Sequence, residues 1–384
     1  MGHDQRSLVL GDWNDADLRH MGAALALARR GLGAVWPNPA VGCLIVKDGR
    51  VRGRGWTQPG GRPHAETEAL RRAGTAAAGA TAYISLEPCA HHGETPPCAD
   101  ALVAAGIGRV VIALGDPDPR VDGGGIKVLA AAGIETVCGV AADEAAEINA
   151  GFLLRVVEGR PLVTLKLATS LDGRIATGSG ESKWITGEDA RRFAHGLRAG
   201  HDAVLVGAGT ALLDDPELTC RLPGLEERSP VRVVVDGSGR LPLTHRLVAD
   251  AGDTATWLMT CPPDSSQGRE RRKAYEQAGV QVIDVTADDY GHPAIAAVLA
   301  ALADRGITRL LVEGGGRINA AFLKAGLADR LVWFRASSVI GGDGVPAAAA
   351  FGLERLAEVP NFALVSTRPV GDDMMEHYVR SVED

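Results

Sequence analysis

Cysteine is scarce in this chain, and long apolar runs are missing. The 384 residues include six cysteines at irregular spacing, which suits reduced thiols better than a disulfide framework. No stretch approaches the roughly 18 consecutive apolar residues that a membrane span requires, and the first residues lack the apolar run of a targeting segment. We therefore expect a cytoplasmic protein with no membrane partner.

Clustered positive charge is also missing. The formal net charge is −8, and the few aromatic residues, 4% of the chain, do not alternate with basic ones in any segment. A protein that binds nucleic acid normally presents a basic face. The composition therefore argues against a nucleic-acid partner.

The length and apolar content indicate two packed domains. A chain of 384 residues exceeds the size at which one core usually keeps growing, and 46% hydrophobic residues are enough for two cores. A helical segment ending near Glu158 leads into Gly159, Arg160 and Pro161. We place the boundary there, with domains at residues 13–158 and 161–382. Strands alternate with helices in both halves, which indicates α/β domains with sheets covered on both faces.

Two of the six cysteines flank a loop that contains histidine and proline. The segment EPCAHHGETPPC contains Cys89 and Cys98, and a second motif, HAE, begins at His64. One imidazole and two thiolates leave the fourth position of a tetrahedral zinc site open to water. His64 and Cys98 each begin a helical segment behind a proline, and the start of a helix favours a thiolate. We predict that the ion lies where these two helix starts face each other.

Glu66 follows His64 by two positions in the HAE motif. Two positions along a helix correspond to a turn of about 200°, so we place Glu66 beside the bound water and not among the ligands. A carboxylate beside a zinc-bound water is what hydrolytic deamination of a heteroaromatic ring requires. The alternative is that Cys89 and Cys98 are ordinary buried thiols and that the histidines of the loop are solvated.

Two further segments have the character of binding loops. Asn38 lies between two prolines just before the first strand, where its amide could contact a substrate or simply form a turn. In the second half, a strand over 309–312 is followed by Gly314, Gly315 and Gly316 and then by an amphipathic helix. Such glycines let backbone amides approach a phosphate. Neither GGGRIN nor GAGTAL completes the GxGxxG fingerprint, so a tight turn is an equally good interpretation.

Taken together, the two halves resemble the RibD family of bifunctional riboflavin-biosynthesis enzymes, in which a pyrimidine deaminase is joined to a pyrimidine reductase. The resemblance covers roughly residues 15–380. The first half carries NPAVGC, HAE and EPCAHHGETPPC, and the second carries LKLATSLDGRIA, SGESKWIT, DDPELTCR and VEGGG. Many zinc deaminases share HAE, but nucleic-acid and free-nucleoside deaminases usually separate their cysteines by only two residues.

The resemblance implies a cytidine-deaminase-like three-layer α/β/α domain followed by a dihydrofolate-reductase-like α/β domain. The first would remove an amino group from a phosphoribosylated diaminopyrimidinone, and the second would use NADPH to reduce the ribosyl group to ribityl. In the first domain it implies zinc on His64, Cys89 and Cys98, with Glu66 as the catalytic proton shuttle. Asn38 and His91 would contact the pyrimidine ring.

The family's motifs also imply the binding residues of the second domain. Arginines suit a phosphate because they bind it bidentately, although Arg198 and Arg221 without these motifs would pass for solvated surface charges. The reductase needs no metal, because its cofactor supplies the hydride. The substrate would be held by Ser182, Arg198, Leu218, Arg221 and Glu313, with Lys166 and Asp172 facing the reacting sugar. The cofactor would be lined by Ala168, Trp184, Thr210, Asp214, Gly314, Gly315 and Gly316.

The chain departs from its relatives at four positions in the first half. Thr57 stands where many relatives carry His, and Glu94 where they carry Lys or Arg. Ala90 replaces the usual Ser, and Asp118 a frequent Asn. The first two changes bear on how the deaminase domain holds the substrate phosphate, and our hypothesis is that Arg62 compensates.

Two other functions stay open from the sequence. One is a nucleic-acid-editing deaminase with an appended binding domain, against which the acidic charge and the eight-residue cysteine gap argue. The other is a zinc-stabilised binding or regulatory protein without catalysis. We expect a homo-oligomer, since oligomers are common among paired domains of this kind.

Overall fold

The computed structural model describes residues 11–90, 96–263 and 265–381. Within them the chain divides into two compact units, and the division falls between Gly159 and Arg160. Among the helices of these ranges, none combines the length and apolar character needed to cross a bilayer.

A five-stranded mixed sheet forms the centre of the first unit, in the order β2-β1-β3-β4-β5. Strand β1 is antiparallel to both of its neighbours, and β3, β4 and β5 run parallel to one another. Five consecutive residues of β1 are buried, so both faces of the sheet are covered. The strands are β1 (Gly42–Lys47), β2 (Arg50–Trp56), β3 (Thr81–Ile84), β4 (Arg109–Ile112) and β5 (Glu135–Cys138).

The helices of the first unit pack in two groups, α1 with α5 and α3 with α2 and α4. The side chain of Asn14 caps α1 by accepting hydrogen bonds from the backbone of Ala16 and Asp17. The start of α2 lies close against β2, where a Cβ at Gly55 would be 2.2 Å from the carbonyl oxygen of Ala65. The helices are α1 (Asp15–Ala28), α2 (Ala65–Ala73), α3 (Cys98–Ala104), α4 (Gly124–Ala131) and α5 (Ala142–Glu158).

The second unit is built on a nine-stranded sheet in the order β11-β10-β9-β8-β12-β6-β13-β16-β15. The seven strands from β11 to β13 run parallel, and β16 and β15 add an antiparallel edge. Its strands are β6 (Leu162–Thr169), β8 (Ala203–Gly207), β9 (Val231–Val235), β10 (Thr256–Thr260), β11 (Gln281–Asp284), β12 (Arg309–Val312), β13 (Arg330–Arg335), β15 (Phe362–Val370) and β16 (Asp373–Arg380). A separate antiparallel pair is formed by β7 (Arg174–Ala176) and β14 (Val345–Pro346).

The chain returns to the middle of this sheet after β11. It inserts β12 between β8 and β6, so that Val312 is paired with Leu205 on one side and Leu165 on the other. The carboxyl ends of these three strands therefore lie side by side. The helices are α6 (Glu188–Ala199), α7 (Ala208–Asp214), α8 (Arg246–Ala249), α9 (Ser266–Gln277), α10 (Ile295–Asp304) and α11 (Gly316–Lys324).

The predicted α/β class is confirmed in both units, and the strands predicted over 231–235 and 309–312 are present with those bounds. The sequence did not indicate β3, β10, β13, β15 or β16. Most of β15 is exposed, so its sequence lacks the alternation that marks a strand with one buried face.

Candidate functional site

The start of α2 and the start of α3 face each other in the first unit, as the sequence predicts. His64 immediately precedes α2, and Cys98 is the first residue of α3. The Nδ1 atom of His64 lies 3.3 Å from Sγ of Cys98 and 3.8 Å from Sγ of Cys89. The three possible ligand atoms lie within 4.8 Å of one another. Helix starts and one loop thus bring together residues from three places in the sequence.

These distances fit a tetrahedral zinc ion. Ordinary Zn–N and Zn–S bonds at a tetrahedral angle place nitrogen and sulfur roughly 3.6 Å apart, and the observed 3.3 and 3.8 Å lie on either side of that value. The side chain of Cys98, followed by His64 and the Cys98 amide, lowers the pKa of the Cys89 thiol to about 4 despite its burial, and the same contact raises the pKa of the Cys98 thiol. A thiolate is the form that binds zinc.

Glu66 lies in the first turn of α2 and is 3% exposed. Burial raises the pKa of its carboxyl, although the positive charge of His64 opposes the rise. The carboxyl also interacts with the side chain of Cys98. A buried carboxyl with a raised pKa, beside a possible metal site, suits a group that accepts and then donates a proton.

The loop with Asn38 packs against the segment that leads into α2. A Cβ at Gly61 would lie only 1.8 Å from Nδ2 of Asn38, so glycine at 61 makes room for this amide. Thr57 fixes the same loop: its buried hydroxyl accepts a hydrogen bond from the Val41 amide at 3.0 Å and donates one to the Pro39 carbonyl at 3.1 Å. Thr57 therefore supports the loop from inside the unit.

Two residues of the loop between Cys89 and Cys98 cannot be placed. His91, predicted to contact the pyrimidine ring, and Glu94 lie outside the described residues. Sequence reasoning also assigned no role to Glu87, whose buried carboxylate binds backbone amides of a distant loop. Its place directly before Pro88 and Cys89 is the signal that points to it.

In the second unit, the loops after β8 and β12 meet at the carboxyl edge of the sheet. The hydroxyl of Thr210 accepts a hydrogen bond from the Gly315 amide at 3.0 Å. A Cβ at Gly314 would lie 3.3 Å from the backbone nitrogen of Gly207. The strand order reverses at this position, and open α/β sheets bind ligands in the crevice formed there. The arrangement supports a dinucleotide interpretation of Gly314, Gly315 and Gly316.

Three predicted substrate residues are brought together near this edge. Arg198 forms a two-pronged ion pair with Glu313, at 2.6 Å and 2.9 Å, and also donates to the Thr219 carbonyl at 2.9 Å. Burial alone would raise the pKa of Glu313, but Arg198 and Lys166 outweigh it and hold that pKa at about 2. Burial lowers the pKa of the Lys166 ammonium, while Glu313 opposes the change.

Other predicted substrate residues are engaged with the protein itself. The carboxylate of Asp172 accepts hydrogen bonds from the Ser170 hydroxyl at 2.6 Å and from the amides of residues 340 and 341 at 3.1 and 2.8 Å. Those hydrogen bonds hold its pKa well below the usual range. The exposed Arg221 pairs with Glu217 at 2.5 Å. Leu218 is buried with a positive φ of 56°, so its backbone, more than its side chain, is available to a ligand.

The remaining predicted residues lie in or beside β6, α6 and α7. The ring of Trp184 is exposed, with the Arg191 guanidinium 4.6 Å from its centre, and Ser182 is half-buried. Ala168 is half-buried in β6, opposite Phe334. Burial raises the pKa of Asp214, which ends α7, while the charge of Lys183 opposes the rise.

Both halves of the chain match known protein families. Residues 14–114 match the family model described as the cytidine and deoxycytidylate deaminase zinc-binding region, and residues 161–375 match the RibD C-terminal domain. The riboflavin biosynthesis protein RibD of Escherichia coli (strain K12) is 42% identical over 374 residues, which is 94% of this chain and 99% of that relative. The chain belongs to the RibD family.

Other members of the family are similar to this chain in sequence or structure over most of its length. RibD of Aquifex aeolicus (strain VF5) is 41% identical and covers 85% of this chain and 88% of its own. The solved structure of Acinetobacter baumannii RibD, form 2, has a TM-score of 0.85 at 37% identity and covers 95% of this chain and 99% of its own. A Thermotoga maritima diaminohydroxyphosphoribosylaminopyrimidine deaminase/5-amino-6-(5-phosphoribosylamino)uracil reductase has a TM-score of 0.83 at 34% identity and covers 95% and 99%.

Proposed function

We propose that this chain is a bifunctional enzyme of riboflavin biosynthesis. The first unit removes an amino group from a phosphoribosylated diaminopyrimidinone, and the second reduces the ribosyl group of the product to ribityl with NADPH. The observation that carries the proposal is the convergence of His64, Cys89 and Cys98 within 4.8 Å, in a chain whose second half matches the RibD C-terminal domain. Family membership over both halves favours this function over a nucleic-acid-editing deaminase or a binding protein.

The deaminase mechanism follows from the positions of Glu66 and the three ligands. His64, Cys89 and Cys98 would hold a zinc ion, which would supply an activated water near neutral pH. Glu66 takes a proton from the attacking water and gives it to the ring nitrogen beside the amino-bearing carbon. It then carries the second proton to the departing amino group, and ammonia leaves.

The substrate ring lies next to Asn38 in this proposal, with His91 as a second contact. Support comes from Gly61, which leaves room for the Asn38 amide beside the segment that leads to His64. Arg62 belongs to that segment and is close enough to His64 for their charges to interact, which makes it our candidate for the substrate phosphate. Arg62→Ala should raise the Michaelis constant of the deaminase, and Arg52→Ala, on an exposed position of β2, is the control.

The reductase chemistry adds a hydride to the first carbon of the sugar and a proton to the ring oxygen. NADPH would supply the hydride, and it would be held by Ala168, Trp184, Thr210, Asp214 and the glycines 314–316. We assign the proton donation to Lys166, because burial lowers the pKa of its ammonium and so makes it a better acid. Arg198 and Glu313 orient the phosphorylated substrate together with Ser182, Leu218, Arg221 and Asp172.

The test is to measure zinc content, ammonia release and NADPH oxidation on one purified protein and its Glu66→Gln variant. Both should bind zinc, and both should oxidise NADPH when given the deaminated substrate. Ammonia release should be lost only in the variant. If the parent protein releases no ammonia from the diaminopyrimidinone, the deaminase half of the proposal is wrong.

We also propose a homo-oligomer in the cytoplasm. β15 is the edge strand of the nine-stranded sheet, and its Leu364 and Val365 are 55% and 57% exposed, as expected of a strand that pairs with another chain. None of the six cysteines, all of which lie in the described ranges, forms a disulfide, which suits a reducing compartment. Sedimentation equilibrium of the parent and of Leu364→Lys tests the oligomer.

A further inference from the structure

Glu87 has an unusual set of partners for a residue with no assigned role. Its side chain is 4% exposed, and its two oxygens accept four backbone N–H groups. One oxygen is bound by Gly125 at 2.9 Å and Ile126 at 3.2 Å, and the other by Gly123 at 3.2 Å and Asp116 at 3.4 Å. These partners follow Glu87 by 29 to 39 positions. The carboxylate thus links the segment that follows β3 to the loop before α4 and to the first turn of that helix.

The charge of Glu87 suits this position. Two of its four donors belong to the first turn of α4, where amides lack partners within the helix and the helix dipole favours an anion. The glycine-rich segment before α4 is therefore filled by a carboxylate of the chain itself. A neutral amide at residue 87 would offer one acceptor oxygen and turn its NH2 group toward amides that also donate.

Contacts on both sides pass from Glu87 to the metal ligand Cys89. On one side the Pro88 carbonyl lies against α4, so closely that a Cβ at Gly125 would be 2.0 Å from its oxygen. On the other side the start of α3 holds Cys89: the Ala99 amide donates to the Cys89 carbonyl at 3.2 Å, and the Cys98 amide donates to its Sγ at 3.3 Å. The segment from Glu87 to Cys89 is clamped between two helix starts.

We propose that Glu87 is a positioning residue for the zinc site. By fixing the segment from Glu87 to Cys89 against the start of α4, it sets the distance of Cys89 Sγ from His64 and Cys98. This inference rests on the deaminase function proposed above. Outer residues that orient metal ligands typically contribute 10- to 100-fold in metal affinity. Loss of the Glu87 charge should therefore weaken zinc binding by that factor, even though Glu87 does not touch the ion.

The experiment compares Glu87→Gln with Asp17→Asn in the full-length protein. Asp17 is a matched control, because it is also a buried carboxylate of the first unit but pairs with Arg109 and Tyr83, neither of which is a metal ligand. Zinc affinity is measured by competition with a chelator, and the site's geometry by the absorption of the cobalt-substituted protein. Urea unfolding and NADPH oxidation on the deaminated substrate report stability and the intact second unit.

We expect Glu87→Gln to weaken zinc binding 10- to 100-fold and to shift the cobalt bands, with NADPH oxidation unchanged. Asp17→Asn should lower the unfolding midpoint but keep the parent zinc affinity and cobalt spectrum. Equal zinc affinity in Glu87→Gln and parent overturns the proposal, and so does an equal loss in Asp17→Asn, which would indicate general destabilisation.

A second variant covers the case in which Glu87→Gln does not fold. Gly125→Ala pushes on the Pro88 carbonyl from α4 and should weaken zinc binding in the same direction, and parent-like zinc affinity there overturns the proposal. The deaminase function fails separately, through absent ammonia release in the parent protein. The zinc and cobalt measurements do not depend on that activity.

Discussion

The ion pair between Arg198 and Glu313 allows a quantitative prediction for Glu313→Gln. The two side chains are 13% and 9% exposed, and they meet through two hydrogen bonds of 2.6 and 2.9 Å. The substitution keeps the shape of residue 313 but removes its charge. Arg198 would then remain buried without its counter-ion and with the Lys166 ammonium nearby.

The magnitude follows from the pKa of Glu313. A fall from an ordinary value of about 4.3 to about 2 corresponds to roughly 3 kcal/mol of stability at pH 7. Removing one partner of a buried ion pair typically costs about 3–5 kcal/mol, so two independent arguments agree near 3 kcal/mol. The folded pKa is the lower one. The contribution is therefore complete above the unfolded pKa and is lost as the pH falls from about 4.3 towards about 2.

The assay is the urea dependence of hydrogen exchange in peptides that cover β12 and α11, which follows the second unit alone. Glu313→Gln should be less stable than the parent by roughly 3 kcal/mol at pH 7 and by about half of that at pH 3. Arg198→Met combined with Glu313→Gln should lose less than the single change, because the guanidinium is no longer left buried without its counter-ion. A loss below about 1 kcal/mol at pH 7, or one that does not change with pH, would refute the reasoning.

Three further predictions concern the first unit. Burial, followed by the charges of Asp118 and Glu87, raises the pKa of Asp116 to about 7. The contribution of Asp116 to stability therefore falls as the pH rises from about 4 to 7. Asp116→Asn should raise the urea midpoint at pH 8 but not at pH 4. Gly61→Ala forces a Cβ to within 1.8 Å of the Asn38 amide at a φ of 85°, so the deaminase Michaelis constant should rise while the reductase rate stays at the parent value. Prolonged dialysis against a chelator should abolish ammonia release and leave NADPH oxidation intact, and added zinc should restore it; equal loss of both activities would contradict separate sites.

Local spacing made much of the fold and of the metal site predictable. The helix starts behind Pro63 and Pro97 follow from residue types that act within a few positions. The buried strands over 231–235 and 309–312 follow from short segments rich in valine and leucine. Strands such as β15 could not be predicted in this way. Their pairing partners, and not their own composition, hold them in the sheet.

Sequence alone determined the class of both units and the residue types that suit zinc and a dinucleotide, because these depend on short patterns and on the chemistry of single side chains. Only the tertiary structure decided that Arg198 faces Glu313 across 115 positions and that Glu87 binds amides up to 39 positions away. It also decided that Thr57 turns inward to support the Asn38 loop. Such contacts depend on the order of strands in a sheet and on which helix starts come to lie together, and short sequence patterns do not encode either.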